Sequence, residues 1–410
     1  MRITILNQFY KPDLAPTGHL AASLAEHRAA QGDTVTVITS LGGYVKSSPV
    51  ASSDEDGGNL RVIRLWTPRL GKNRSLFRII DYSFFYVQAA LRTLFLPSQD
   101  VIVSLTTPPF IAWTGALHKF INPSTKLVLW NMDSYPEILE RTGVITEGSP
   151  ASRFLRALNK ALFRRLDYLV CLDEAMCQLL TSSYLPEESQ LLSAVIPNWE
   201  SLNLFSDPQL QGHLPGFLDI DFEDKFVILY LGNAGFGHSF ETVLEAAIKL
   251  KQEPVVFLFV GGGKKWPLLE EQKNQRGLDN LLLHPYVPKE VTPAVMALAD
   301  CALITLNRPA LGVISPSKLH SNLAMGLPII YVGPEGGNVD EAIASFNCGT
   351  SIRHGEVDRL VDFVESLLTN RDLLETYRRN ARHAFDEAYN DRVTLPKFDQ
   401  IIAALGPSGD

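Results

Sequence analysis

The 410-residue chain predicts an α/β fold of two doubly wound parallel sheets, each covered by helices, facing a central cleft. Three observations carry this. Short β-rich runs alternate with longer helical stretches. Most of these runs are apolar on both faces, as strands of a buried parallel sheet must be. The alternation breaks once, near 200–225, and then restarts.

In the first half, strands are expected at 3–6, 34–39, 62–65, 101–105, 126–130, 168–172 and 192–196, with helices such as 20–30 and 151–166 between them. The stretch "ESLNLFSDPQLQGHLPGFLDIDFEDK" has little periodicity and reads as a linker with short turns. Strands resume at 226–231, 255–260, 281–284, 302–306, 329–332 and 350–352, and 355–405 is mostly helical. The expected domains are 1–200 and 225–390, joined by a linker at 201–224. A terminal helix at about 391–410 is a candidate to pack back on the first domain.

Bulk properties narrow the function. Hydrophobic residues make up 46% and charged residues 20%, which excludes a disordered or fibrous chain. A formal charge of −8 argues against general nucleic-acid binding. Cys171, Cys177, Cys301 and Cys348 form no CxxC pair, so neither a disulfide framework nor a zinc site is expected, in keeping with a reducing cytosol. The histidines show no HExxH or HxxxH spacing, so no histidine-built metal site is expected. The start, "MRITILN", turns polar too soon for a signal peptide. No run reaches the roughly 18 apolar residues of a membrane span.

Several motifs carry chemistry. In "SPSKLHSNLAMGLP" (315–328), Pro316 suits a helix start and Ser315 or Ser317 can cap it. Free N–H groups and the Lys318 ammonium would then converge on an anion, for which a phosphate or diphosphate is the natural choice. The alternative is an ordinary capped helix with a solvated lysine. In "LYLGNAGFGH" (229–238) an apolar strand enters three glycines and then a helix at 239–250. Asn233, Gly235 and Gly237 lie where backbone N–H groups could approach a ligand, or where a tight turn needs them. "GGGKK" (261–265) lacks P-loop spacing and reads as a turn. "FYKPDLAPTG" (9–18) leaves the first strand and precedes a helix from about residue 19, which places Thr17 and Gly18 at a helix N-terminus, or makes Thr17 a plain cap.

Asp133 and Glu137 in "LVLWNMDSYPEI" follow a strand, where either could accept a proton or orient a hydroxyl. The tempting Asp219-Ile-Asp221 lies in the linker and reads as a solvated acidic loop. Residues 61–95 carry Arg61, Arg64, Arg69, Lys72, Arg74, Arg78 and Arg92 among aromatic residues, and 151–166 carry Arg153, Arg156, Lys160, Arg164 and Arg165. Basic and apolar residues together suit an anionic membrane surface, although a core-packing helix with solvated charges has the same pattern.

On these residues the chain resembles the GT-B retaining glycosyltransferases of family 4, near the bacterial branch of colanic acid and L-fucosamine transferases. The carriers are "NQFYKPDLAPTGHLAASLAEHRAAQGDTVTVITS", "DSYPE", "IPNW", "YLGNAGFGHSFETVLEAA" and "SPSKLHSNLAMGLPIIYVGPEGG", in family order along nearly the whole chain. The resemblance implies two Rossmann-like domains, the N-terminal one binding acceptor and the C-terminal one binding a nucleotide-diphosphate sugar. Ser317 and Lys318 of "PSK" would hold the diphosphate, and Asn233 to Gly237 would lie against it or the sugar. Tyr286 and Val287 match the loop that meets the base. Thr17 and Gly18 would close over the donor, and Asp133 would stand near the acceptor. No metal or other cofactor is implied.

Departures are visible as well. The two acidic positions of the family's Glu-x7-Glu motif are Val313 and Ser321 here, and Phe236 stands where a phosphate-binding arginine is common. The expected activity is retaining transfer of a hexosyl or N-acetylhexosaminyl group. The expected donor is a UDP-sugar and the expected acceptor is lipid-linked or a saccharide, at the inner face of the membrane. A homo-oligomer is left open. The alternatives are a nucleotide-sugar epimerase of the same shape and a catalytically inactive partner subunit.

Overall fold

The computed structural model describes residues 1–13, 15–41, 55–68, 75–202 and 222–406. Most of the expected linker, Asp219 and Asp221, and the cations Arg69, Lys72 and Arg74 lie outside the described residues. The chain divides into two compact units, Met1–Ile196 with Leu395–Asp410, and Pro197–Thr394.

The first unit runs β1 (Arg2–Leu6), α1 (Pro16–Ala30), β2 (Thr34–Ser40), β3 (Glu55–Gly57), β4 (Leu60–Leu65) and α2 (Ser75–Leu94). It continues with β5 (Val101–Ser104), α3 (Ala112–Ile121), β6 (Lys126–Trp130), α4 (Glu137–Arg141), α5 (Pro150–Phe163), β7 (Tyr168–Cys171), α6 (Glu174–Tyr184) and β8 (Leu192–Val195). The sheet order is β3-β4-β2-β1-β5-β6-β7-β8. All pairs are parallel except β3–β4. Strand β3 was not expected. Its Glu-Asp-Gly sequence has no apolar side to bury, and only an antiparallel edge position tolerates that.

The connections β4 to β5, β5 to β6 and β6 to β7 all cross the sheet in one direction. Right-handed crossovers therefore put α2, α3 and α5 on the same face. Two caps fix helix starts there: Ser149 accepts from the Ser152 N–H, and Asp173 from the Met176 N–H at 2.8 Å. Helix α1 begins at Pro16, earlier than expected, because proline is preorganised for the first helical position. Ala15 is its N-cap, so Thr17 is a first-turn residue and not the cap.

The second unit runs β9 (Phe226–Asn233), α7 (Glu241–Lys249), β10 (Val255–Gly262), α8 (Trp266–Arg276), β11 (Leu281–Pro285), α9 (Thr292–Ala297) and β12 (Cys301–Thr305). Then come α10 (Lys318–Ala324), β13 (Ile329–Val332), α11 (Asn338–Phe346), β14 (Gly349–Ile352), α12 (Val357–Thr369) and α13 (Arg371–Ala388); the final helix, α14 (Asp391–Leu405), starts in this unit and from Leu395 belongs to the first. Six parallel strands order as β11-β10-β9-β12-β13-β14. Aliphatic and aromatic layers cover both faces of the sheet. In one of them Tyr230 stacks on Phe259 at 5.0 Å and meets Phe240 edge-on at 5.1 Å. Strand order reverses between β9 and β12, so the loops after these two strands flank a topological switch point, where such sheets bind ligands.

Helix α14 contributes to the first unit. The Asp399 carboxylate meets Arg28 at 2.7 Å and His27 at 2.9 Å, and Phe398 lies 4.6 Å from the Trp130 ring. Among the described residues, no helix is long and apolar enough to cross a membrane.

Candidate functional site

The switch point of the second unit holds a cationic cradle. Strand β9 carries Gly232 at φ 120°, a conformation that favours glycine. A Cβ there would lie 3.1 Å from Lys318 Cε, so the missing side chain makes room for the lysine. The half-buried Lys318 ammonium lies 4.9 Å from the Tyr230 ring centre and 3.3 Å from His238 Nε2. His238 is buried, and its Nδ1 lies 2.8 Å from the Thr305 carbonyl, which can only accept. Nδ1 therefore carries the proton, and Nε2 accepts from Lys318.

A second cation, Lys265, donates through Nζ to the His238 carbonyl. Among the described residues neither lysine has a carboxylate partner. Burial lowers the Lys318 pKa to about 8 and also lowers that of Lys265. Burial first, and then the Lys318 charge, push His238 down to about 3, so its ring stays neutral at physiological pH.

The glycine loop faces this pair. Among the described residues no acceptor meets the N–H groups of Gly235, Phe236 and Gly237. The loop's carbonyls are engaged instead: Asn307 binds those of Phe236 and Gly237 at 2.6 and 2.8 Å. A loop with anchored carbonyls and open N–H groups, beside two ammonium groups that have no carboxylate partner among the described residues, suits a multiply charged anion. The "GGGKK" stretch, expected as a plain turn, packs here, with the Lys265 N–H on the Ala234 carbonyl at 3.0 Å.

The helix after "SPSK" differs from expectation. It starts at Lys318 and spans seven residues, and Ser317 makes no side-chain cap. So short a helix has a small dipole, and the electrostatics come chiefly from the lysine. Ser315 is half-buried and Ser317 exposed, while the Pro316 carbonyl accepts from Asn338 Nδ2 at 3.3 Å. Asn233 ends β9, with its carbonyl accepting from the Tyr230 hydroxyl at 2.9 Å. Tyr286 is exposed after β11, its ring set against Gly262, and Val287 is half-buried. Val313 lies wholly in the core and has no room for a carboxylate. The Ser321 hydroxyl donates to the Lys318 carbonyl at 3.3 Å.

The first unit has its own pocket, open to solvent. It is lined among others by Asp133, Thr106, Phe110, Tyr135, Asn159 and Phe163. Thr106 Oγ1 accepts from the Met132 and Asp133 N–H groups at 3.1 and 3.2 Å, which fixes the Asp133 turn. Burial raises the Asp133 carboxyl to about 6.

Two of the expected site residues are engaged elsewhere. Glu137 does not line the pocket: it is 2% exposed, and it binds the Tyr184 hydroxyl and Arg156 at 3.3 Å. The Gly18 N–H is spent inside α1 on the Ala15 carbonyl at 2.9 Å. Gly18 also packs tightly, since a Cβ would lie 3.2 Å from the Phe9–Tyr10 backbone. Thr17 stands half-buried beside it.

His238, Tyr230 and Lys265 had not been singled out from the sequence. The signal for His238 was available, because it closes the glycine loop directly. Lys265 arrives from another strand, and only the sheet order brings it in. Among the described residues, no three His, Cys, Asp or Glu side chains gather as a metal site.

Comparisons with known proteins cover both units. The family described as "Glycosyl transferase 4-like domain" matches residues 17–199, and "Glycosyl transferases group 1" matches 220–384. The chain is 26% identical over 344 residues to the putative colanic acid biosynthesis glycosyl transferase WcaI of Escherichia coli K12, covering 80% of this chain and 82% of that one. It is 25% identical over 410 residues to the probable glycosyltransferase WbjE of Pseudomonas aeruginosa, covering 98% of each. In fold it is similar to Anabaena Alr3699/HepE, solved in complex with UDP-glucose, with TM-score 0.67, 16% identity, and 98% and 100% of the two chains covered. With a matching family on each unit, in order, and two Rossmann-like parallel sheets between them, the chain belongs to the GT-B glycosyltransferases of family 4.

Proposed function

We propose that the protein transfers a hexosyl or N-acetylhexosaminyl group from a nucleotide-diphosphate sugar, with UDP as the nucleotide, to a lipid-linked or saccharide acceptor, retaining the anomeric configuration. Assembly of a bacterial surface polysaccharide or glycolipid is the setting. The carrying observation is the cradle of Lys318, Lys265 and the open N–H groups of Gly235 to Gly237, an anion site in which, among the described residues, neither lysine has a carboxylate partner. The names of the WcaI and WbjE relatives support the setting, and the UDP-glucose bound to HepE supports the nucleotide.

In this reading the C1–O bond to the diphosphate breaks as the acceptor oxygen bonds to C1 on the same face. The departing diphosphate gains charge, which Lys318 and the loop N–H groups stabilise. Its own oxygen takes the acceptor proton. Asp133, whose pKa burial raises to about 6, orients the acceptor hydroxyl. No metal takes part in this scheme.

Calorimetric titration with UDP, GDP and ADP, without and then with Mg²⁺, tests the reading beside Lys318→Ala. The expected outcome is metal-independent binding of UDP that the variant loses while its melting temperature holds. Normal transfer by Lys318→Ala would remove the cradle from the mechanism. Binding of none of the three nucleotides would favour an inactive partner subunit.

A further inference from the structure

The first unit presents an apolar surface that the transfer chemistry does not use. Helices α2 and α3 share one face of the sheet and run parallel, and the buried His118 ties their ends through Nδ1 to the Thr93 carbonyl at 2.8 Å. Along α2 and one residue past its end, Phe84, Val87, Leu91 and Phe95 form an exposed stripe at helical spacing, with Trp66 edge-on to Phe84 at 5.6 Å. Along α3, Leu117, Phe120 and Ile121 do the same. Phe95 and Phe120, at the shared C-terminal end, are 85% and 83% exposed. So many large apolar side chains together on a surface mark a contact site.

Charge selects the occupant. The chain as a whole is acidic, yet Asp81 is the single acidic residue in α2, α3 and the neighbouring α5. Arg92, Arg153, Lys160, Arg164 and Arg165 stand exposed around the stripes. Two expected surface cations drop out. Arg64 is buried, donating to the Lys11 carbonyl at 2.8 Å, and Arg156 is paired with Glu137 and Glu140. A second copy docked by two-fold symmetry would bring the basic rims together. A bilayer with anionic headgroups matches both the apolar ridge and its rim.

We propose that the outer face of α2 and α3 lies on an anionic lipid surface. Phe95, Phe120 and Ile121 enter the acyl region, and the flanking arginines and lysines meet headgroup phosphates. Ala112, at the other end of the ten-residue α3, lines the Asp133 pocket, so wedge and pocket are separated by about 15 Å of one helix. The inference does not depend on the transfer reading.

The test is co-flotation of the full chain with phosphatidylcholine vesicles and with vesicles that also hold phosphatidylglycerol. Flotation is expected with the anionic vesicles, weakened by salt. The combined Phe95→Ser, Phe120→Ser and Ile121→Ser variant should lower partitioning by at least about tenfold. Lys160→Glu with Arg164→Glu should remove the preference for anionic vesicles. UDP binding and melting temperature, read on the same variants, should not move. The proposal is overturned if the native chain floats with neither vesicle, or if the triple variant floats as well as the native chain. It is equally overturned if light scattering shows a dimer that the triple variant dissociates, without vesicle binding.

Discussion

Lys318 holds its charge against burial with no carboxylate partner among the described residues, and that sets a pH signature. The ammonium holds an anion while it is protonated, so diphosphate affinity should be full below about pH 8 and should fall as pH rises past it. A bound anion raises the lysine pKa, and the decline should therefore approach tenfold per pH unit, about 1.4 kcal/mol, over the window between the free and bound values. Calorimetric UDP titrations from neutral to alkaline pH check this, and Lys318→Arg should flatten the slope because its guanidinium does not titrate. Glu137 behaves oppositely. It is spent on Tyr184 and Arg156, so Glu137→Ala should cost roughly 1–3 kcal/mol of stability by removing the Tyr184 hydroxyl's acceptor and one of the two carboxylates on Arg156, which keeps Glu140. Thermal unfolding should register that loss, with any fall in activity tracking the unfolded fraction.

At the scale of elements, the β9 strand and its glycine loop do most of the site's positioning. Gly232→Ala would force φ 120° on a residue with a Cβ and push that atom to 3.1 Å from Lys318 Cε. The expected result is a stability loss of about 1–2 kcal/mol and a clear fall in UDP affinity, measured by melting and by calorimetry. The periodicity of β9, β13 and β6 could be read from sequence because buried parallel strands must be apolar on both faces. Strand β3 could not, since an edge strand meets no such demand. The loop at 232–238 was readable as a loop. Its meeting with Lys265 and Lys318 was not, because sheet order and not sequence distance brings β9, β10 and β12 together. Glu137 misled for a related reason: a carboxylate after a strand reads the same whether it faces a ligand or an arginine of the next helix, α5.

Over the whole molecule, buried neutral histidines weigh on acid stability. Burial lowers His238 to about 3 and His320 to about 4, and lowers His118 too. The unfolded chain binds these protons near 6.5, so stability should be full above that pH and fall below it, by about 1.4 kcal/mol per unit for each such histidine. Asp133 opposes this, since a carboxyl raised to about 6 gains a proton in the folded state first. Three groups against one should leave a net loss on acidification, visible as a falling urea midpoint between neutral pH and pH 5.

The path of the chain through the two units bears on how the protein is made. The first unit closes only when α14 supplies Asp399 to Arg28 and Phe398 to Trp130. A ribosome that has passed residue 196 must still translate roughly 200 residues before that helix exists, which takes about 10–40 s at ordinary elongation rates. During that interval the nascent first unit carries an open seam, a natural client for a chaperone. A nonsense codon just after residue 390 would leave that seam unfilled in the part of the protein synthesised first.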